Sequence, residues 1–128
     1  MNKLTRAEEQ VMQILWEMER GLVKDLLERI PDPKPAYNTV STIIRILEKK
    51  GFVDHKAYGS TYEYFPIVNK DDYAQFHFKD FMKNYFNDSF PRMAAFFARE
   101  NNLSMEDMEE IMRLTEQEMK QLENGQNK

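Results

Sequence analysis

Between Tyr37 and Lys49 the chain collects side chains able to read an ordered hydrogen-bond pattern on a polyanion. Asn38 offers an amide, Thr39, Ser41 and Thr42 short hydroxyls, and Arg45 and Lys49 cations. An amide can pair with adenine and a guanidinium with guanine; hydroxyls reach bases or phosphates, and a lysine ammonium suits the phosphate backbone. Projected at about 100° per residue, Asn38, Ser41, Thr42, Arg45 and Lys49 gather on one side of a helix, with Glu48 at the edge. Val40, Ile43, Ile44 and Leu47 fall opposite, at the i, i+3, i+4, i+7 spacing of a buried stripe. Taken alone, such a helix is most simply an ordinary solvated surface, so its neighbours decide the reading.

Other chemistries find little support. The chain has no cysteine, which excludes disulfides, thiolate metal sites and cysteine nucleophiles. Its histidines are His55 and His77, with neither H-x-x-x-H spacing nor a cysteine partner, so neither a metal site nor a cofactor is expected. No nucleophile–base pair has a recognisable spacing, which disfavours an enzyme. Glu109, Glu110, Glu116 and Glu118 are most simply the wet side of a helix. No apolar run approaches the roughly 18 residues needed to cross a bilayer, and a cytoplasmic protein without membrane insertion is expected. The formal charge of −4 speaks against indiscriminate coating of nucleic acid, but it lies wholly in residues 67–128; the first 66 residues are balanced.

The elements around the polar helix supply the context. Thr5 and Glu8 form a capping box that opens a helix with Val11, Ile14, Leu15 and Met18 on one face, ending at Gly21. Trp16 lies off that stripe and should cover a seam of the core. A shorter helix spans Val23 to Ile30, and Pro31, Pro33 and Pro35 then stop helix formation because proline fixes φ and lacks an N–H. Gly51 follows the polar helix where a left-handed cap belongs. Phe52–Ala57 and Thr61–Phe65 have strand character around a Tyr58-Gly59-Ser60 turn, and Pro66 closes the second strand. Three helices followed by a hairpin make a winged helix-turn-helix, whose third helix enters the major groove of double-stranded DNA. On that basis Asn38, Thr39, Ser41, Thr42 and Arg45 are expected at base edges, with Tyr37, Lys49, Lys56 and Ser60 mainly at phosphates.

From Asn69 the chain is helical. Asn69 caps a helix bearing Phe78, Phe81, Met82 and Tyr85; after a turn at Asn87-Asp88-Ser89 a second carries Phe90, Met93, Ala94 and Phe97. Ser104 and Asp107 cap a last helix with Met108, Ile111, Met112, Met119 and Leu122. Tyr73 to Phe97 contain 9 Phe and Tyr residues, too many for three short helices to bury among themselves, so a two-fold homodimer is expected. Phe78, Phe81, Met82, Tyr85, Met93, Phe97, Met108, Ile111 and Met112 are its candidate interface. A pocket for a small ligand is the competing use of so many Met and Phe side chains. The expected organisation is a mainly α protein with a small hairpin: a winged helix-turn-helix at 1–68, a dimerisation domain at 69–123 and a frayed tail at 124–128.

The stretch from Leu4 to Trp16, with Thr39-Val40-Ser41-Thr42-Ile43-Ile44 and Leu47-Glu48-Lys49-Lys50-Gly51-Phe52-Val53, resembles the penicillinase-repressor family of bacterial transcriptional repressors, over roughly Leu4 to Leu122. The resemblance implies a homodimeric repressor on inverted-repeat operators. It also implies release through C-terminal cleavage by a membrane-bound sensor metalloprotease in a β-lactam response, the setting of antibiotic resistance. The family usually carries Arg where this chain has Ile46, with Arg45 one position earlier, so the operator should differ. Alignment on Leu103-Ser104 puts Phe96-Phe97 at the family's cleavage site, usually Asn–Phe. The copper-responsive branch has C-terminal cysteine pairs that are absent here. The alternatives to a DNA-binding repressor of this type are a winged-helix protein-interaction module, which the acidic net charge favours, and a small-ligand-sensing repressor.

Overall fold

A computed structural model describes residues 1–126; Asn127 and Lys128, the end of the expected frayed tail, lie outside the described residues. Six helices and one hairpin follow in the order α1 (Arg6–Met18), α2 (Val23–Arg29), α3 (Tyr37–Lys49), β1 (Val53–Tyr58), β2 (Thr61–Pro66), α4 (Lys70–Phe86), α5 (Phe90–Glu100) and α6 (Met105–Gln126). The chain divides into two compact units, residues 1–80 and the residues from Phe81 onward.

In the first unit, α1 starts at the capping box: Glu8 N donates to Thr5 Oγ1 (3.2 Å) and Thr5 N to Glu8 Oε1 (2.8 Å). The helix ends earlier than its periodicity suggests, at Met18, with Glu19 taking a positive φ of 72°. Gly21 is therefore not the cap. It pairs instead with Tyr64, in both directions at 2.9 and 2.8 Å, which ties the hairpin to the α1–α2 connection. A β-carbon at Gly21 would meet the Met18 methyl at 2.5 Å.

α3 closes with paired backbone bonds, Phe52 N to Leu47 O (2.9 Å) and Gly51 N to Glu48 O (3.0 Å), around Gly51 at φ 81°. This geometry requires a left-handed residue just past the helix and brings Phe52 against the last buried turn. The chain then turns directly into β1. The strands pair antiparallel from Val53↔Pro66 to Tyr58↔Thr61, leaving Gly59 (φ 63°) and Ser60 as a two-residue turn. Glycine in the first turn position supplies the positive φ that lets such a turn match the right-handed twist of its strands.

The core of this unit joins Val11, Met12 and Leu15 of α1, Leu26 of α2, Val40, Ile44 and Leu47 of α3, and Phe52, Val53 and Tyr64 of the wing. The start of α4 belongs here as well. Tyr73 is buried, its hydroxyl accepts from Leu4 N (3.1 Å), and its ring lies 5.9 Å from that of Trp16. Trp16 donates from Nε1 to Val68 O (2.8 Å), so it closes a seam as expected. These contacts carry the compact unit past Val68, the boundary expected from sequence, to Asp80.

The second unit begins within α4. Asn87 and Asp88 adopt positive φ and Ser89 Oγ accepts from Arg92 N (3.3 Å) at the start of α5. Ser104 and Asp107 form a reciprocal pair at 3.1 Å each at the start of α6. Helix α6 continues through Asn124 and Gly125 to Gln126 rather than ending at Asn124. Met82 is the one buried apolar side chain of this unit among the described residues, and α5 buries none.

Candidate nucleic-acid interface

Helix α3 is oriented by its buried stripe. Val40, Ile44 and Leu47 are fully enclosed, which forces Asn38, Thr42, Arg45 and Lys49 outward, where all four are exposed. Two of these side chains are steadied by their own helix. Thr42 Oγ1 donates to Asn38 O (2.8 Å), leaving the oxygen's lone pairs as the acceptor it presents. Arg45 Nε donates to Ser41 O (3.3 Å), which uses one of the guanidinium donors and leaves those of the two terminal nitrogens for another partner. An oriented guanidinium loses less entropy when it binds a base edge than a free one would.

Beside this stripe a cleft of about 320 Å³ runs between α3 and the wing. Tyr37 and Ser41 of α3, Ser60 and Tyr62 of the hairpin, and Lys24 of α2 line it. The structure therefore gathers Tyr37 and Ser60, the expected phosphate contacts, with Ser41, an expected base contact, in one place, and adds Lys24 and Tyr62, which sequence reading passed over. Lys24 was hidden because nothing in the periodicity of α2 links it to a hairpin almost 40 residues later. Ile46, exposed on the flank of α3, is a further residue of the outer surface not counted among the contacts.

Lys56 stands apart. In the hairpin register His55 and Tyr64 share a face with Tyr62, whereas Lys56 is paired with Glu63 on the opposite face. Its ammonium lies 5.4 Å from the centre of the Tyr58 ring. It can meet a phosphate only on that outer side of the wing.

The helix is braced at its C-terminal end. Lys50 Nζ donates to both oxygens of Glu8, at 2.7 and 2.9 Å, linking the end of α3 to the start of α1. Burial raises the affinity of the Glu8 carboxyl for its proton, but hydrogen bonds from Lys50 and Thr5 outweigh it and hold the group below its ordinary range. Glu48 contacts His55 Nδ1, whose ring stacks on Tyr62 at 4.4 Å and lies 5.6 Å from Tyr64. Burial, and then the Glu48 charge, push the Tyr64 phenol up, so it stays neutral beside α3.

The candidate dimerisation residues divide by exposure. Phe81, Tyr85, Phe97, Ile111 and Met112 are exposed, while Met93 and Met108 are partly covered. Met82 is buried already within one chain and has little left to offer a second copy. Phe78, exposed, falls in the first unit. Phe96 and Phe97 lie inside the regular part of α5. Phe81, Tyr85, Phe86 and Phe96, with Arg92 and Arg99, wall a groove of about 650 Å³.

Comparison with known proteins locates this arrangement. The family model described as penicillinase repressor matches residues 4–117. The methicillin resistance regulatory protein MecI of Staphylococcus aureus (strain N315) is 27% identical over 110 residues, covering 85% of this chain and 89% of that protein. A penicillinase repressor of Bacillus licheniformis is 22% identical over 116 residues, 90% of this chain and 91% of its own length. Among solved structures, the DNA-binding domain of the repressor BlaI matches at 25% identity and a TM-score of 0.49, over 57% of this chain and 94% of that one.

Proposed function

Since the chain belongs to the penicillinase repressor family, as the match over residues 4–117 establishes, we propose that it is a transcriptional repressor that binds palindromic operators as a homodimer. It is not an enzyme; its named relatives are regulators. The observation that carries the proposal is the outer face of α3. Asn38, Thr42, Arg45 and Lys49 project outward from a helix whose opposite side is locked into the core, with the wing cleft alongside. Asn38, Thr39, Ser41, Thr42 and Arg45 read base edges; Tyr37, Ser60 and Lys49 hold phosphates, and Lys56 does so from the outer face of the wing. The acidic charge of residues 67–128 does not oppose this, because the first 66 residues, which hold all the side chains proposed to meet DNA, are balanced.

The second copy of the chain is the occupant of the apolar surface from Phe81 onward. Tyr85 is 74% exposed and Met112 59%, and a lone chain would hold these side chains in water. Burying them between two copies returns roughly 25 cal/mol for each Å² of apolar surface covered. It also places two recognition helices on one palindrome, and a repressor so built loses most of its affinity when the dimer is broken. Proteolytic relief would act there. A protease needs an extended chain, so cutting between Phe96 and Phe97 requires α5 to unwind first.

The groove walled by Phe86, Phe96, Arg92 and Arg99 favours a second reading, in which this unit takes a small aromatic anion. Melting separates the two. A dimer raises Tm with protein concentration, whereas a ligand raises it at fixed concentration. The operator reading itself is tested by salt titration of binding to selected and random duplexes. Equal loss of affinity for both would refute it.

A further inference from the structure

Glu48, at the end of α3, and Asp54, at the start of β1, put two carboxylates beside side chains assigned to DNA. Uncompensated, both would repel phosphate. His55 faces them from the same strand, and one ligand atom from each of the three residues falls within 4.8 Å of the others. From this geometry we infer that Glu48, Asp54 and His55 form a binding site for a first-row divalent transition cation at the junction of the recognition helix and the wing.

Each ligand is oriented by something other than the ion. The His55 ring packs against Tyr62 and Tyr64, with Nδ1 turned to Glu48. One Asp54 oxygen accepts from His55 N (2.8 Å), which fixes the carboxylate and leaves its second oxygen available. Glu48 is half-buried and already at the imidazole. Ligand bonds of about 2.0–2.2 Å require only small side-chain rotations to bring these atoms onto one ion. An imidazole with two carboxylates suits zinc or manganese better than magnesium or calcium, which prefer all-oxygen sites. Three protein ligands also leave room for water or a phosphate oxygen. Sequence spacing hides the site, because the third ligand comes from a helix six residues upstream of Asp54 rather than from a second histidine.

The ion would do two things. It cancels the charge of the two carboxylates next to the DNA face, and it fixes the angle at which the wing leaves α3. The second effect on operator binding rests on the repressor reading; uptake of the ion does not.

The experiment is calorimetric titration of the full-length, chelator-treated protein with Zn²⁺, with Mg²⁺ as control, followed by operator titrations with and without Zn²⁺. One Zn²⁺ per protomer is expected, with no Mg²⁺ uptake, and the binding should disappear in both Glu48→Gln and Asp54→Asn. Zn²⁺ should tighten operator binding by the wild type about tenfold at low salt and steepen the salt dependence by about one unit, and leave both variants unchanged. Absence of stoichiometric uptake reduces the cluster to a Glu48–His55 hydrogen bond and overturns the inference, as does uptake that survives both substitutions. Uptake without any change in operator affinity overturns the role in DNA binding. Stoichiometric uptake by a protein that binds no DNA at all supports the site and counts against the repressor reading instead.

Discussion

Arg45 and Lys49 carry the same charge on the same stripe of α3, yet their chemistry assigns them different work. The guanidinium of Arg45, steadied by its bond to Ser41 O, can present a two-pronged donor set to a base edge. Arg45→Ala should therefore weaken binding to the selected operator by about 1–3 kcal/mol and broaden sequence preference. An equal loss on operator and random DNA would contradict the base-reading role. Lys49→Ala should weaken both by similar factors and lower the salt slope by about one. Glu8 serves stability instead. Its proton affinity is depressed in the folded state, so the contribution is complete above the unfolded carboxylate value and is lost as pH falls through the lower folded one. Melts across that acidic range should show wild-type Tm declining more steeply than Tm of Glu8→Gln. Parallel declines would mean that the Lys50 pair does not stabilise the fold.

At the scale of elements, caps decide where the reading helix stops. Gly51 at φ 81° has open space around its missing side chain, so Gly51→Ala tests backbone conformation alone. It should cost about 1–2 kcal/mol of stability without altering the preferred operator; a changed preference would show that the cap also sets the pose of α3. In α5, the position of Phe96 and Phe97 within regular helix predicts slow cleavage in the intact fold. Limited proteolysis should spare this bond until the helix is loosened, as in Ala94→Pro, and rapid cutting of the wild type would contradict that view. Local elements of this kind were legible in the sequence. The Thr5–Glu8 and Ser104–Asp107 pairs, the Gly51 stop and the stripe of α3 are all written within a few residues of one another. What escaped was brought together by folding. Gly21 meets Tyr64, Lys50 reaches Glu8, Lys24 joins the wing cleft, and Glu48 finds His55, each across a separation that periodicity does not encode. Adjacent residues of a strand such as His55 and Lys56 face opposite ways, but only the contact between His55 and Glu48 shows which face turns to α3.

On the scale of the whole molecule, the two units divide the labour. Residues 1–80 hold a closed core and the side chains proposed to read DNA, whereas the unit from Phe81 leaves large apolar side chains in contact with solvent. Ile111→Glu, at an exposed apolar position of α6, should shift sedimentation from dimer to monomer while the first unit keeps its own fold. An unchanged dimer would move the interface elsewhere. The central claim, that this chain reads a palindrome as a pair, is tested most directly by selecting duplexes from a random pool with the purified protein. The winning site should then be titrated across salt. The account predicts an inverted repeat bound by two copies and retained over random DNA as salt rises. No enrichment, or binding lost equally from every sequence, would contradict it and leave a winged-helix module with some other partner.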